Sequence, residues 1–486
     1  MIPASRCSTR GRPAPADTAF VGLGLFNDFK TQETQVVYDA AIIGAGLAGL
    51  EAARDLRARG LRVTVLEARD RVGGRVENIV LSDGSYLEMG GQWIGSGFDA
   101  LRELIAHYGL ETVGIPEPDG RFIVRHHDKT HQVPTDGNTT VLNPFEVADL
   151  GQGLLRLRRL AHRLLNDEAW ARANHLWLEQ TLERWASANI RTEMSRARLA
   201  EVFASAFEVE AADTPLSKAL HLVQDGPDLE SMLAVNGQLE QLRLVGGMHE
   251  LARRMAADLG DTVRLGQEVT CVRHRADGAT VVLASGEEVE ARFVISTLPP
   301  RLATSLAHEP ALPAWRAEES DKVNPGNVIK AYLLFDEPFW RARGLSGQSS
   351  ADAGPVRVTF DTTPANASQG HLMGFFAGSE AVSLAKRTPQ IRERAFLDSV
   401  RASFGDGVPQ PSGYVERDWT AEQFTQGCHG AHFAPGIWTT VGPGLAKPEG
   451  VLYWAGAEYA TRFNGYMEGA LRSGQAAAAA VASRCA

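Results

Sequence analysis

Two groups of residues in this chain could do chemistry by type and spacing. Gly44, Gly46 and Gly49 stand in GAGLAG, the G-x-G-x-x-G spacing. The first glycine permits a tight turn, the second lets a pyrophosphate approach the backbone, and the third lets a helix pack on a strand. Glu67 follows about 20 residues on, where a carboxylate can accept hydrogen bonds from a ribose. Far along the chain, Lys330 sits in the otherwise apolar run VIKAYLLF. An ammonium buried in such a strand is costly unless a partner holds it, so the position asks for one.

The elements around these residues read directly from pattern. Residues 40–43 are a short apolar run suited to a buried parallel strand, and helical spacing continues from Leu47 until Gly60 stops it. A second strand, 62–66, ends on Glu67. ARDRVGGR then brings a second glycine pair, Gly73 and Gly74, with Arg69, Arg71 and Arg75 around it, suited to a second approach to the same pyrophosphate. Asp83-Gly84 marks a hairpin, after which Gly90, Gly91, Gln92, Trp93 and Gly95 form a loop able to lie flat beneath a planar ligand. From about 116 to 238 helical periodicity dominates, with charged polar faces. Residues 245–251 open another helix, and strands follow up to Pro299-Pro300. Alternating runs between 301 and 417 predict an antiparallel sheet. Residues 451–454 predict a last strand, with a helix starting near Gly465.

A chain of 486 residues is too long for one ordinary core, so two domains are expected. With 44% hydrophobic and 22% charged residues, it has the composition of a soluble globular enzyme. The net charge of −10 argues against nucleic acid as a partner and is compatible with cationic substrates. Cys7, Cys271, Cys428 and Cys485 are scattered without metal spacing, which predicts no metal site, a reducing compartment and no disulfide framework. No apolar stretch reaches the length of a spanning helix, so no membrane partner is expected. Residues 1–37 read as a flexible extension and the location as cytoplasmic.

GAGLAG, LEARDRVGGR, GGQWIG, VGG, VNPGNVIKAYLLFDEPFW, the 419–436 loop and WAGAEYATRFNGYMEGA resemble, in order and spacing, the flavin-containing monoamine oxidases of the FAD-dependent amine oxidase superfamily. The resemblance spans nearly all of 38–480. It implies an α/β fold with a Rossmann-like FAD-binding domain from 38–115, 239–300 and 418–486. A mixed α+β substrate domain from 116–238 and 301–417 would carry the antiparallel sheet and a helical insertion over the cavity.

The resemblance also makes the cofactor FAD rather than NAD. Its phosphates and ribose would fall to Gly44, Ala45, Gly46, Leu47, Gly49, Glu67, Ala68 and Arg69, with Gly74 and Arg75 from the second glycine pair and Val269 at the adenine. The flavin ring would lie among Gly90, Gly91, Gln92, Trp93, Trp419, Gly456, Ala457, Glu458, Tyr466 and Met467. Cys428 matches the cysteine that binds the flavin covalently in animal relatives; bacterial relatives often bind it without a bond, and both arrangements stay open.

For catalysis, the resemblance gives Lys330 a water at flavin N5 and assistance to reaction with oxygen. Tyr466 matches one of two aromatic residues flanking the amine's path. His429 occupies the other position, a departure that puts a titratable ring there. Glu208, Leu233 and Glu240 are candidate cavity residues, and a cavity carboxylate would favour a substrate with a second cationic group. Glu458 and Glu468 are expected to orient backbone or flavin hydroxyls. The expected activity is oxidation of a small-molecule amine to an imine, then aldehyde or ketone, with O2 reduced to H2O2 by a homodimer. The alternatives are an amine dehydrogenase of alkaloid degradation, an L-amino-acid oxidase, and a flavin-binding scaffold without turnover.

Overall fold

The computed structural model describes residues 37–95, 97–114, 120–126, 129–134, 142–207, 211–225, 242–321, 323–364, 367–433 and 444–485. Strand β1 (Val37–Ile43) is fully buried from Ala40 onward, helix α1 (Leu47–Ala58) starts at Gly46, and strand β2 (Val63–Leu66) is buried throughout. Burial on both faces is what an unbroken apolar run demands, since only a sheet covered on both sides satisfies it.

These strands form the centre of an eight-stranded sheet. β1 runs parallel to β2 and to Glu288–Ser296. Val263–Arg264 extends the sheet beyond β2, while Gly278–Leu283, Val269–Arg275 and Ala307–Glu309 extend it on the other side. Leu452–Trp454, from near the end of the chain, pairs in parallel with the last residues of Glu288–Ser296. The register brings Ile43, Leu66 and Ser296 to one edge, with Trp454 beside Ser296. Gly44, Glu67, Thr297 and Ala455 each follow one of these strand ends, so the sheet opens there into the crevice where open parallel sheets take their ligands.

A second, seven-stranded sheet holds Lys330. Its order is Gly413–Asp418, Val328–Phe335, Gly370–Ala377, Val358–Asp361, Leu345–Ala351, Arg121–His126 and Lys129–Pro134. All described pairings are antiparallel except that between Leu345–Ala351 and Arg121–His126. Every residue of Val328–Phe335 is buried, so Lys330 does not face solvent.

Helices between Pro144 and Asp225 build a separate apolar cluster around Leu157, Trp185, Phe203 and Leu220. The hairpin expected at Asp83-Gly84 is present, with Asn78–Val80 against Tyr86–Glu88. Trp93–Ile94 pairs with Leu242–Leu244, a contact that local pattern does not reveal. The fold is α/β with a helical insertion, as expected, but the second sheet, expected to be antiparallel, contains one parallel pair, because Arg121–His126 comes from far earlier in the chain than its neighbour Leu345–Ala351. Cys428 and Cys485 form no disulfide, whereas Cys271 is disulfide-bonded, which departs from the expectation of no disulfide framework.

Candidate active site

The crevice is built from two glycine turns laid together. Gly73 donates its N–H to the Ala45 carbonyl at 2.8 Å, and Gly46 and Gly73 form a parallel bridge. A Cβ on Gly74 would lie 3.3 Å from the Gly46 Cα, so side chains here would fill the groove between the turns. α1 begins at Gly46 without any side chain capping its first N–H groups. Those donors and the helix dipole are left for an anion.

Glu67 is buried at the end of β2. Its carboxylate accepts the N–H of Ala45 at 2.7 Å and of Arg69 at 3.0 Å. Two bonds leave further lone pairs on an acceptor group, so it can still take ribose hydroxyls. Gln267 donates its N–H to the Glu67 carbonyl at 2.7 Å, which draws the segment leading into Val269–Arg275 against Glu67. Arg69 lies between two carboxylates, 3.6 Å from Glu67 and ion-paired with Glu422, and donates to the Thr425 hydroxyl at 2.8 Å.

Arg75 makes two bonds to Glu458, at 2.6 and 2.9 Å. Burial alone would lower the Arg75 pKa, but the facing carboxylate outweighs it and holds the guanidinium above its ordinary value. The pair borders a partly open cleft shared with Pro299, Val323, Gln426 and Gly427. Cys428 follows, half-buried and outside any disulfide, at the start of a strand paired with Val323–Gly326.

Lys330 answers the question its sequence poses. It is 2% exposed. Its ammonium donates to the Gly90 carbonyl at 2.9 Å and to the Gln92 side-chain oxygen. The ring centroids of Trp93, Tyr332 and Phe375 each lie 5.8 Å from Nζ, so three π faces add favourable contact with the charge. Tyr332 and Trp419 repeat the same act on neighbouring residues. The Tyr332 hydroxyl donates to the Glu88 carbonyl at 2.7 Å, and the fully buried Trp419 indole donates to the Met89 carbonyl at 2.8 Å. Two side chains of the second sheet, Lys330 and Tyr332, and one just beyond it, Trp419, thus hold the carbonyls of 88, 89 and 90 in succession. Local pattern does not mark Tyr332; its place two residues after Lys330, on the same strand face, is the only signal.

Gly90 itself can be nothing else, because a Cβ there would lie 1.8 Å from the Arg75 carbonyl oxygen. The Met467 thioether packs against Gly91. Gly456 is held by Ser473, whose hydroxyl accepts from its N–H at 2.8 Å and donates to its carbonyl at 2.9 Å. Ala457 and Glu458 follow in a buried turn.

Tyr466 is half-buried, lies 5.8 Å from Phe98 between ring centroids, and packs against both the nucleotide-sheet core and the helical cluster. Nearby, buried Lys218 of the helical cluster donates to Asn464 at 2.9 Å, another contact that sequence reading misses. Glu468 is fully buried and accepts the N–H groups of Ala100 and Leu101, so it caps the helix Asp99–His107. His429 lies in the strand Cys428–Phe433, but its side chain is outside the described residues, as are Glu208, Leu233 and Glu240. Among the described residues no acidic, His or Cys cluster could hold a metal ion, and no helix is long and apolar enough to cross a membrane.

The residues of the crevice therefore fit FAD: a glycine cradle and open helix N-terminus for its phosphates, a buried carboxylate for its ribose, and a pinned glycine loop for its ring.

Comparison with known proteins gives the same direction. Residues 47–482 match the family of flavin containing amine oxidoreductases. The chain is 32% identical over 449 residues to flavin-containing amine oxidase B of Homo sapiens, covering 90% of this chain and 85% of that one. A putrescine oxidase solved with putrescine bound superposes with a TM-score of 0.86 at 28% identity, over 93% of this chain and all of that one. Cyclohexylamine oxidase from Brevibacterium oxydans IH-35A superposes with a TM-score of 0.84 at 30% identity, over 93% of this chain and all of that one.

Proposed function

Because this chain belongs to the flavin containing amine oxidoreductases and is an FAD enzyme acting on amines, we propose that it is an oxidase: it converts a small amine to the imine, which hydrolyses to an aldehyde or ketone, and passes the electrons to O2 to give H2O2. The observation that carries this reading is Lys330, an ammonium buried at the glycine loop and boxed by three aromatic rings. A purely structural strand has no use for such a charge.

FAD, when bound, supplies the acceptor for the two electrons leaving the amine. The chain's own residues do the rest. The glycine turns, the start of α1 and Glu67 hold the dinucleotide, with Arg75 and Glu458 closing the cleft beside it. Tyr466 presents an uncharged ring that orients the neutral amine without adding a competing charge, and His429 is the proposed second wall. Lys330 serves the oxygen-dependent half-reaction, where a fixed positive charge favours negative charge developing on oxygen. In this reading 38–115, 239–300 and 418–486 form the FAD-binding domain, and 116–238 with 301–417 form the substrate domain.

The test is an anaerobic titration of the purified protein with monoamines, diamines and alkaloid amines, followed by air. An amine of the right class bleaches the visible absorbance and air restores it. Lys330→Met slows the recovery and leaves bleaching nearly as fast, whereas Tyr466→Leu slows the bleaching. Colour retained in an acid precipitate shows a covalent link, for which Cys428 is the candidate. Bleaching without recovery in air means an acceptor other than oxygen, and no bleaching by any amine overturns the reading.

A further inference from the structure

Gln92 is 1% exposed, and its two amide ends have different fates. Its Oε1 accepts from the Lys330 ammonium, with the Tyr332 hydroxyl at 3.5 Å on the same atom. An ammonium only donates, so the oxygen must face Lys330, and the planar amide then turns Nε2 to the other side. There Nε2 is buried and has no hydrogen-bond partner among the described residues. A buried amide donor with nothing to bond is a standing cost, which a ligand acceptor would remove.

We propose that Gln92 is a positioning residue that joins Lys330 to the flavin: its oxygen fixes the ammonium, and its NH2 group donates to an acceptor on the polar edge of the flavin ring. The surroundings support this assignment. Gln92 follows the Gly90-Gly91 segment, which is held by Lys330 at one residue and packed on Met467 at the next. The backbone leading into Gln92 is therefore held, and its Oε1 is fixed by Lys330, before any ligand arrives. Hydrogen bonding at the ring edge shifts electron density in the flavin, so the same side chain would set both the place of the ammonium and the ease of reduction.

The inference rests on the oxidase reading for the role of Lys330, and its test is chosen to stand apart from amine turnover. Wild type, Gln92→Met and Gln92→Glu are loaded with FAD; the visible spectrum and reduction potential are recorded, and reoxidation in air is timed after reduction by dithionite. Methionine keeps the volume but removes both ends of the linkage. Its flavin spectrum shifts, its potential falls, and its reoxidation slows by about tenfold, the scale of one hydrogen bond to a charged group. Glutamate keeps an oxygen for Lys330 but loses the donor, so the spectrum and potential shift while reoxidation slows less than in Gln92→Met. A Gln92→Met protein with wild-type spectrum and potential overturns the contact to the flavin. If methionine prevents FAD uptake, a wild-type spectrum and potential in Gln92→Glu does the same. Equal reoxidation in all three proteins overturns the role toward Lys330. Failure of every amine to reduce the wild type would sink the oxidase reading and leave these dithionite measurements intact.

Discussion

Arg75 and Glu458 face each other through two hydrogen bonds, at 2.6 and 2.9 Å, and join the second glycine turn to the segment that precedes the last helix. Glu458 is almost wholly buried. Removing one member of such a pair strands the other's charge, which costs far more than the intact pair contributes. Arg75→Met is expected to lower unfolding stability by about 3 kcal/mol in urea titrations. The double variant Arg75→Met/Glu458→Gln should recover a good part of that loss. A single variant as stable as wild type would mean that the pair is solvated.

Gly90→Ala probes a contact that cannot relax by side-chain motion. The new methyl would overlap the Arg75 carbonyl, backbone against backbone, while Gly91 and Arg75 are bonded by a 3.2 Å N–H contact. The expected result is a protein that has lost most bound flavin, read from the ratio of visible to ultraviolet absorbance after purification. Full flavin occupancy would show that the loop shifts at little cost.

Glu468 holds together two helices far apart in sequence. It accepts from Ala100 and Leu101 at the start of Asp99–His107 and from Arg472 at 2.6 Å on its own helix. Glu468→Ala leaves two backbone donors buried, with an expected loss of about 2 to 4 kcal/mol. Glu468→Gln, which keeps one acceptor, should lose less. Thermal unfolding of the three proteins ranks them.

Acid stability should report on His308 and His221. Burial pushes both imidazoles down to about 4, with His274 and Arg316 adding to the effect at His308 and Lys218 at His221. The unfolded chain takes these protons near pH 6.5, whereas the folded chain resists them down to about pH 4. Their contribution to stability is therefore complete above pH 6.5 and is lost as pH falls toward 4, by at most about 3 kcal/mol per histidine. His308→Phe should flatten the fall in urea midpoint between pH 6.5 and 4.5. An unchanged slope would mean that His308 titrates normally in the fold.

The first βαβ unit is open to reading in one dimension because its physics is local. A turn, a helix start and the next strand lie within a few tens of residues, and glycine spacing alone encodes how close backbones must come. Lys330 is equally visible as an anomaly, since one charge in an apolar strand needs explaining. Its partners are not visible: Gly90 and Gln92 lie 240 and 238 residues away, and nothing in their neighbourhood announces a lysine. Trp419 and Glu468 show the same limit. Their partners are equally remote: Trp419 donates to the Met89 carbonyl, and Glu468, expected to orient backbone or flavin hydroxyls, accepts the backbone N–H groups of Ala100 and Leu101.

The sequence by itself determined the dinucleotide turn, an acid placed where a ribose would be held, the resemblance to an amine-oxidising family and the residues that could carry its chemistry. Only the tertiary structure decided how those residues are held. The parallel register brings β1, β2 and Glu288–Ser296 to one edge and seats Leu452–Trp454 beside the last of them. The second sheet, with Trp419 just beyond it, then grips three successive carbonyls of the glycine loop. Such contacts are set by which surfaces meet when two sheets pack, and packing between distant segments leaves no periodic trace in the chain.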